Sequence, residues 1–264
     1  MGRAIACANQ KGGVGKTTTV VNLASVLALR GIRTLVVDLD PQGNATSGFG
    51  IDRDAASGSI YDAIVGDEPI DSMIVMEPSA RVSVIPAAIA LAGAEVELAT
   101  LEARERRLQR LLAPIRDRYD IIFIDCPPSL GLLTVNALTA ADAVLVPLQC
   151  EYYALEGSTQ LLATIDLVRD HLHPMLKLDG VVLTMYDART RLSADVEAEA
   201  RRHLGALVYE SVIPRSVRLS EAPSHGRPIT AYAPTSRGAE AYEALATEFM
   251  ARNHLGSVAQ GAVA

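Results

Sequence analysis

The chain has 264 residues, nearly half of them apolar (49%), with 19 glycines and 13 prolines spread along its length. That composition fits a globular protein with an aliphatic core and excludes a disordered or fibrous chain. A formal net charge of −7 excludes coating of nucleic acid through the overall field, while leaving room for a local basic patch.

The three cysteines, Cys7, Cys126 and Cys150, are odd in number and widely spaced, which speaks against a disulfide scaffold or a C-x-x-C zinc site. A reducing cytoplasm is the expected setting. No apolar run reaches the roughly 18 residues of a membrane span, and the N-terminus lacks the layout of a signal peptide.

In chain order, "RAIACA" (3–8) predicts a first strand. Behind a glycine-rich loop, Val20, Leu23, Ala24 and Leu27 recur at helical spacing, so a helix begins near Lys16 and stops at Gly31. "RTLVVDLD" (33–40) reads as a second strand ending in two acids, and "RVSVIPA" (81–87) as a third. Ala94 to Leu112 reads as one helix with a charged outer face.

"YDIIFIDCPPS" (119–129) is a buried strand that delivers Asp125 just before a Pro-Pro turn. "DAVLVPLQ" (142–149) and "LDGVVLTMY" (178–186) predict two more strands, separated by a helix near 156–170, and "ALVYESVIP" (206–214) a last one. Tyr242, Leu245, Ala246, Phe249 and Met250 form one apolar stripe on a C-terminal helix. The alternation of strand and helix implies one α/β domain over 1–254, a single doubly wound, mostly parallel sheet with helices on both faces. Residues 255–264 are expected to form a flexible tail.

The chemistry concentrates in "ANQKGGVGKTTT" (8–19). Against the pattern G-x-x-x-x-G-K-[ST], the first position holds Gln10, and Lys11 follows it. Gly12, Gly13 and Gly15, with Val14 and Thr18, let backbone N–H groups turn towards a polyphosphate at a helix N-terminus. Lys16 then neutralises the β/γ-phosphates and the Thr17 hydroxyl ligates Mg²⁺. Asp125 ends its strand at the carboxyl edge, where a carboxylate holds Mg²⁺ directly or through water. Of the neighbouring Asp38 and Asp40, Asp40 lies nearer the loop "PQGNATSG" and is the expected water-orienting residue; a turn-forming role before Pro41 is its plain alternative.

"KGGVGKTT", "DLDPQGNAT" and "IDCPPS", in this order, resemble the deviant Walker A, or ParA/MinD, superfamily of P-loop ATPases. "QCEYYALEG" and "IPRSVRLSEAPSHGRPI" narrow the resemblance to the ParA/Soj chromosome-partitioning branch, from about Arg3 to about Arg252. The resemblance implies an ATP hydrolase using ATP and Mg²⁺, with Lys11 as the signature lysine that reaches the partner's ATP across a homodimer. Action on the chain's own nucleotide stays open as the alternative for Lys11. It further places Gly12 at that interface, and Pro214, with Met185 as a weaker candidate, against the adenine.

In the family, the ATP dimer binds double-stranded DNA non-specifically. Arg189 and Arg218 match the residues responsible, with Arg191 and Arg215 as helpers. Between Tyr186 and Arg227, seven arginines face six acids, so local charge alone reads as a solvated surface. Stimulation by a ParB-type centromere-binding partner and a nucleoid-associated cytoplasmic location are implied as well. With no segment before the first strand, sequence-specific autorepression through an N-terminal helix-turn-helix is not expected.

The main rival is a MinD-like membrane ATPase, whose basic C-terminal helix docks on lipid. Here that helix carries Glu240, Glu243 and Glu248, and no membrane partner is expected. Two lesser rivals are an iron–sulfur reductase of the same superfamily and a nucleotide-binding scaffold without turnover.

Overall fold

The computed structural model describes residues 2–151 and 156–256. Seven strands form one sheet: β1 (Arg3–Cys7), β2 (Thr34–Asp38), β3 (Val75–Glu77), β4 (Val82–Ile85), β5 (Ile121–Asp125), β6 (Ala143–Gln149) and β7 (Lys177–Thr184). Their order is β3-β4-β2-β5-β1-β6-β7. All neighbours run parallel except the edge pair β3–β4. The parallel strands are buried on both faces, which is why they read as continuous aliphatic runs rather than alternating ones.

Eleven α-helices are seen among the described residues: α1 (Lys16–Leu29), α2 (Asn44–Gly48), α3 (Ile60–Ile64), α4 (Leu91–Leu98), α5 (Arg107–Leu112), α6 (Leu132–Ala140), α7 (Glu156–His171), α8 (Arg191–Leu204), α9 (Val217–Glu221), α10 (Ile229–Tyr232) and α11 (Arg237–Arg252). Strand alternation divides the core in two. Ala4, Ala6 and Ala8 face a core that also takes in Leu108, Leu138 and Leu161, while Ile5 and Cys7 face another containing Leu23, Leu27, Tyr242 and Phe249.

Helix α1 begins at Lys16 as predicted, after Gly15 at φ 90°. It ends in a Schellman-type turn, where Ile32 N donates to Leu27 O at 3.1 Å and Gly31 takes φ 86°. Helix α11 buries Tyr242, Leu245, Ala246 and Phe249, so the predicted stripe packs on the core. No helix among the described residues is long and apolar enough to cross a membrane.

Three expectations need correction. The helix expected over Ala94–Leu112 is broken: α4 stops at Leu98, Ala103 turns left-handed at φ 48°, and α5 starts at Arg107. The strand expected over 206–214 is reduced to two single bridges, Val181 with Val208 and Tyr186 with Pro214. Its amides at Glu210 and Ser211 are taken by the Glu248 carboxylate at 2.9 and 3.0 Å, and Pro214 has no N–H to give. The second strand ends at Asp38, leaving Asp40 in the loop beyond it. Of the motif "QCEYYALEG", residues 152–155 lie outside the described residues, as do residues 257–264 of the expected tail.

Candidate functional site

The phosphate loop leaves β1 at the carboxyl edge of the sheet, between the flanking strands β5 and β6. Asn9, which no motif in the sequence singles out, pins its start. Asn9 Nδ2 donates to Pro147 O at 2.7 Å, and Asn9 Oδ1 accepts from Lys11 N at 3.0 Å. On the far side, Thr184 Oγ1 donates to Val14 O at 2.8 Å. The loop is therefore held at both ends with its middle free, and Gly13 and Gly15 supply the left-handed turns at φ 73° and 90°.

The loop opens onto a cavity of about 370 Å³, lined at one end by Gly12, Gly13, Gly15, Lys16, Thr17 and Thr18, with Asp40 and Gln42 facing them. A second cavity of about 390 Å³ shares Gly15, Thr18, Met185 and Pro223 with the first and continues to Pro214 and Arg215. Met185 and Pro214, the two residues expected against an adenine, are thus both walls of the second cavity. Met185 itself holds a left-handed backbone at φ 52°.

Lys16 is buried at 6% exposure, and its amine donates to Lys11 O at 3.2 Å. Lys11 behaves differently. Its side chain leaves the cavity and reaches Glu151, with Nζ 3.3 Å from Oε2. Val14 likewise stays out of the lining, its side chain buried in the core.

Asp38 and Asp125 pair in register across β2 and β5, but their partners differ. Asp38 accepts from Thr46 N and Thr46 Oγ1, both at 2.7 Å. Burial outweighs those bonds and raises its carboxyl to about 6. Asp125 is fully buried, and neither of its oxygens has a hydrogen-bond partner. Burial first, then the charge of Asp38, pushes its carboxyl well up, while the nearby Thr17 hydroxyl pulls the other way.

A buried acid with no partner, beside a hydroxyl at the mouth of a phosphate loop, is the donor set a divalent cation needs. Among the described residues no cluster of three or more His, Cys, Asp or Glu forms a self-sufficient metal site. Mg²⁺ here would depend on Thr17, Asp125 and phosphate oxygens, which fits its habit of binding through few carboxylates. Asp40 is oriented by Gln42 N, which donates to Asp40 Oδ1 at 2.9 Å. The geometry thus separates a cavity-facing Asp40 from a structural Asp38.

Just past α2, the chain meets the segment 222–227 at Gly50 and Gly226. A Cβ on Gly50 would stand 2.8 Å from Gly226 O, and one on Gly226 would stand 2.7 Å from Gly50 Cα. Both residues also take positive φ, 70° and 60°, so only glycine fits at either position.

The four candidate DNA arginines are exposed, and each faces an acid. Arg189, 87% exposed, makes a fork on Asp187 at 2.9 and 2.8 Å. That guanidinium holds the Asp187 carboxyl down at about 2. Arg191 lies 3.8 Å from Asp195, Arg218 3.0 Å from Glu221, and Arg215 3.4 Å from Glu151. Arg215 also lines the second cavity, while Arg189 and Arg191 lie at the start of α8 and Arg218 on α9.

A family model described as an AAA domain matches residues 2–178. The chain is 56% identical over 251 residues to the sporulation initiation inhibitor protein Soj of Bacillus subtilis, covering 95% of this chain and 99% of that one. It is 53% identical to the chromosome partitioning protein ParA of Myxococcus xanthus, covering 96% and 89%. Among solved structures, a Mycobacterium smegmatis protein named cobyrinic acid a,c-diamide synthase, with bound ATP analog and magnesium, superposes with a TM-score of 0.82. It is 41% identical over 94% of this chain and 93% of that one. With relatives of this identity matched across nearly its whole length, the chain belongs to the Soj/ParA family of chromosome-partitioning ATPases.

Proposed function

We propose that the protein is an ATP-driven DNA-partitioning switch: two copies close around two MgATP, bind DNA non-specifically, and part on hydrolysis. The observation that carries this reading is the contrast between the two lysines. Lys16 is buried in its own loop, whereas Lys11 lies outside the cavity its loop encloses. An exposed ammonium at the mouth, with glycine beside it, suits reception of a neighbour's triphosphate while that surplus charge lasts.

Within each copy, the turned loop and Lys16 bind and orient the phosphates. Thr17 and Asp125 would hold Mg²⁺, which would neutralise phosphate charge there. Asp40 positions the attacking water for in-line displacement at the γ-phosphate. Pro214 and Met185 receive the adenine. The ATP analog and magnesium of the M. smegmatis structure support this cofactor pair.

Arg189, Arg191 and Arg218 are proposed to meet DNA phosphates. A few contacts per copy give a weak grip that pairing doubles, so DNA affinity follows the nucleotide state. Slow turnover alone, stimulation by a ParB-type partner and residence on the nucleoid complete the reading. Burial of the α11 stripe disfavours membrane docking, since that face is already covered. Amide transfer, which the name of the M. smegmatis structure brings up, needs a reactive thiolate to take ammonia from glutamine. All three cysteines are buried here, and burial pushes the Cys150 thiol up to about 12.

The test is particle size in an Asp40→Ala background with and without ATP and Mg²⁺, followed by DNA binding of the same samples. A nucleotide-dependent dimer that alone binds DNA is expected. A monomer at saturating ATP, or equal DNA affinity without nucleotide, sinks the reading.

A further inference from the structure

Two cations share one carboxylate beside the phosphate loop. Lys11 Nζ lies 3.3 Å from Glu151 Oε2, and Arg215 Nη2 lies 3.4 Å from Glu151 Oε1. Gln149 Nε2 donates to the same Oε1 at 2.6 Å and fixes the carboxylate's direction. Glu151 stands just past the end of β6. Arg215 is brought there by the bridge between Tyr186 and Pro214, with its own amide bonded to Tyr186 O at 2.9 Å. Three distant parts of the chain thus converge on one half-buried acid.

We propose that Glu151 is a positioning residue that holds Lys11 on its own subunit, and that Arg215 sets the strength of this hold by competing for the same carboxylate. The inference rests on the reading above, in which Lys11 leaves for the partner's phosphates. It also assigns Arg215 to the nucleotide edge rather than to the DNA-facing set of Arg189, Arg191 and Arg218.

The sign follows from electrostatics. One negative charge facing two positive ones attracts each, while the two repel one another. Removing Arg215 removes that repulsion, and Glu151 then grips Lys11 more firmly. Neutralising Glu151 releases Lys11 altogether. Ion pairs this exposed are weak, each worth about two- to five-fold in an equilibrium. A latch of that strength holds a flexible lysine in one place yet yields to a triphosphate, whose charge is several times greater.

The experiment titrates ATP against dimer formation in the Asp40→Ala background and reads the midpoint. Glu151→Gln is expected to lower the ATP needed by about two- to five-fold, and Arg215→Ala to raise it by a similar factor. The Arg215→Ala effect should vanish when Glu151→Gln is also present, and Arg215→Lys should restore the parent midpoint. Both shifts should shrink at about 1 M salt, where charges are screened within about 3 Å. Purely structural roles would not give opposite signs or salt dependence.

Two variants moving the midpoint the same way, or an Arg215→Ala effect that survives without the Glu151 charge, overturn the latch. A parent that dimerises while neither variant shifts the midpoint overturns the latch alone. A parent that stays monomeric with ATP overturns the dimer reading and the latch together.

Discussion

Asp38 and Asp125 lie side by side at the carboxyl ends of adjacent strands, one held by two hydrogen bonds from Thr46 and the other by none. An acid left so exposed to its own desolvation costs stability until a cation reaches it. Asp125→Asn should therefore raise the stability of the nucleotide-free protein by about 1–3 kcal/mol at neutral pH. Phosphate release should fall at least about tenfold. Thermal melts without Mg²⁺ and a turnover assay check both halves, and a variant that melts earlier refutes the account of Asp125.

The same pair gives a pH signature. Asp38 titrates near 6 when folded against 3.8 when unfolded, so the native state holds its proton longer. Its contribution to stability is then greatest below about pH 4 and declines as pH rises towards 6. Relative to wild type, Asp38→Asn should gain up to about 3 kcal/mol across that window, compared in denaturant titrations at matched pH. A difference that stays constant between pH 4 and 6 rules this out.

Gly12 has open space around it: a Cβ built there meets only Pro128 Cβ, at 3.9 Å. Gly12→Val should leave the lone subunit's stability within about 0.5 kcal/mol of wild type. Loss of the ATP-dependent dimer in that variant would then report a blocked interface rather than a damaged fold. A dimer of unchanged affinity would remove Gly12 from the contact.

Arg189 and Arg218 are exposed, so truncating either to alanine should change stability by less than about 0.5 kcal/mol. In the paired protein each substitution removes two phosphate contacts, and the slope of log affinity against log salt should drop by roughly 2. Filter binding across a salt series gives the slope. A preserved slope would place the DNA elsewhere.

What the sequence disclosed followed from residues with a single physical use. Buried aliphatic runs announced β1, β2, β5, β6 and β7, and Gly15 with Gly31 bracketed α1. The break between α4 and α5 gave no such notice, because the left-handed residue there is Ala103 rather than a glycine. The strand expected near 206–214 failed for a tertiary reason: Glu248, some 37 residues away on α11, takes the amides a ladder would have used. At the site, the loop, Lys16, Thr17, Asp40 and Asp125 declare themselves by motif. The parts played by Asn9, Thr46 and Glu151 arise from contacts between distant segments, which spacing cannot show.

The meeting of Gly50 and Gly226 puts bare main chain against bare main chain, with no deformable side group between. Such a seam transmits displacement instead of absorbing it. A displacement of the chain just past α2 would press on 222–227, which follows directly on the C-terminal end of α9. The two segments thus meet through a pair of residues with nothing to compress.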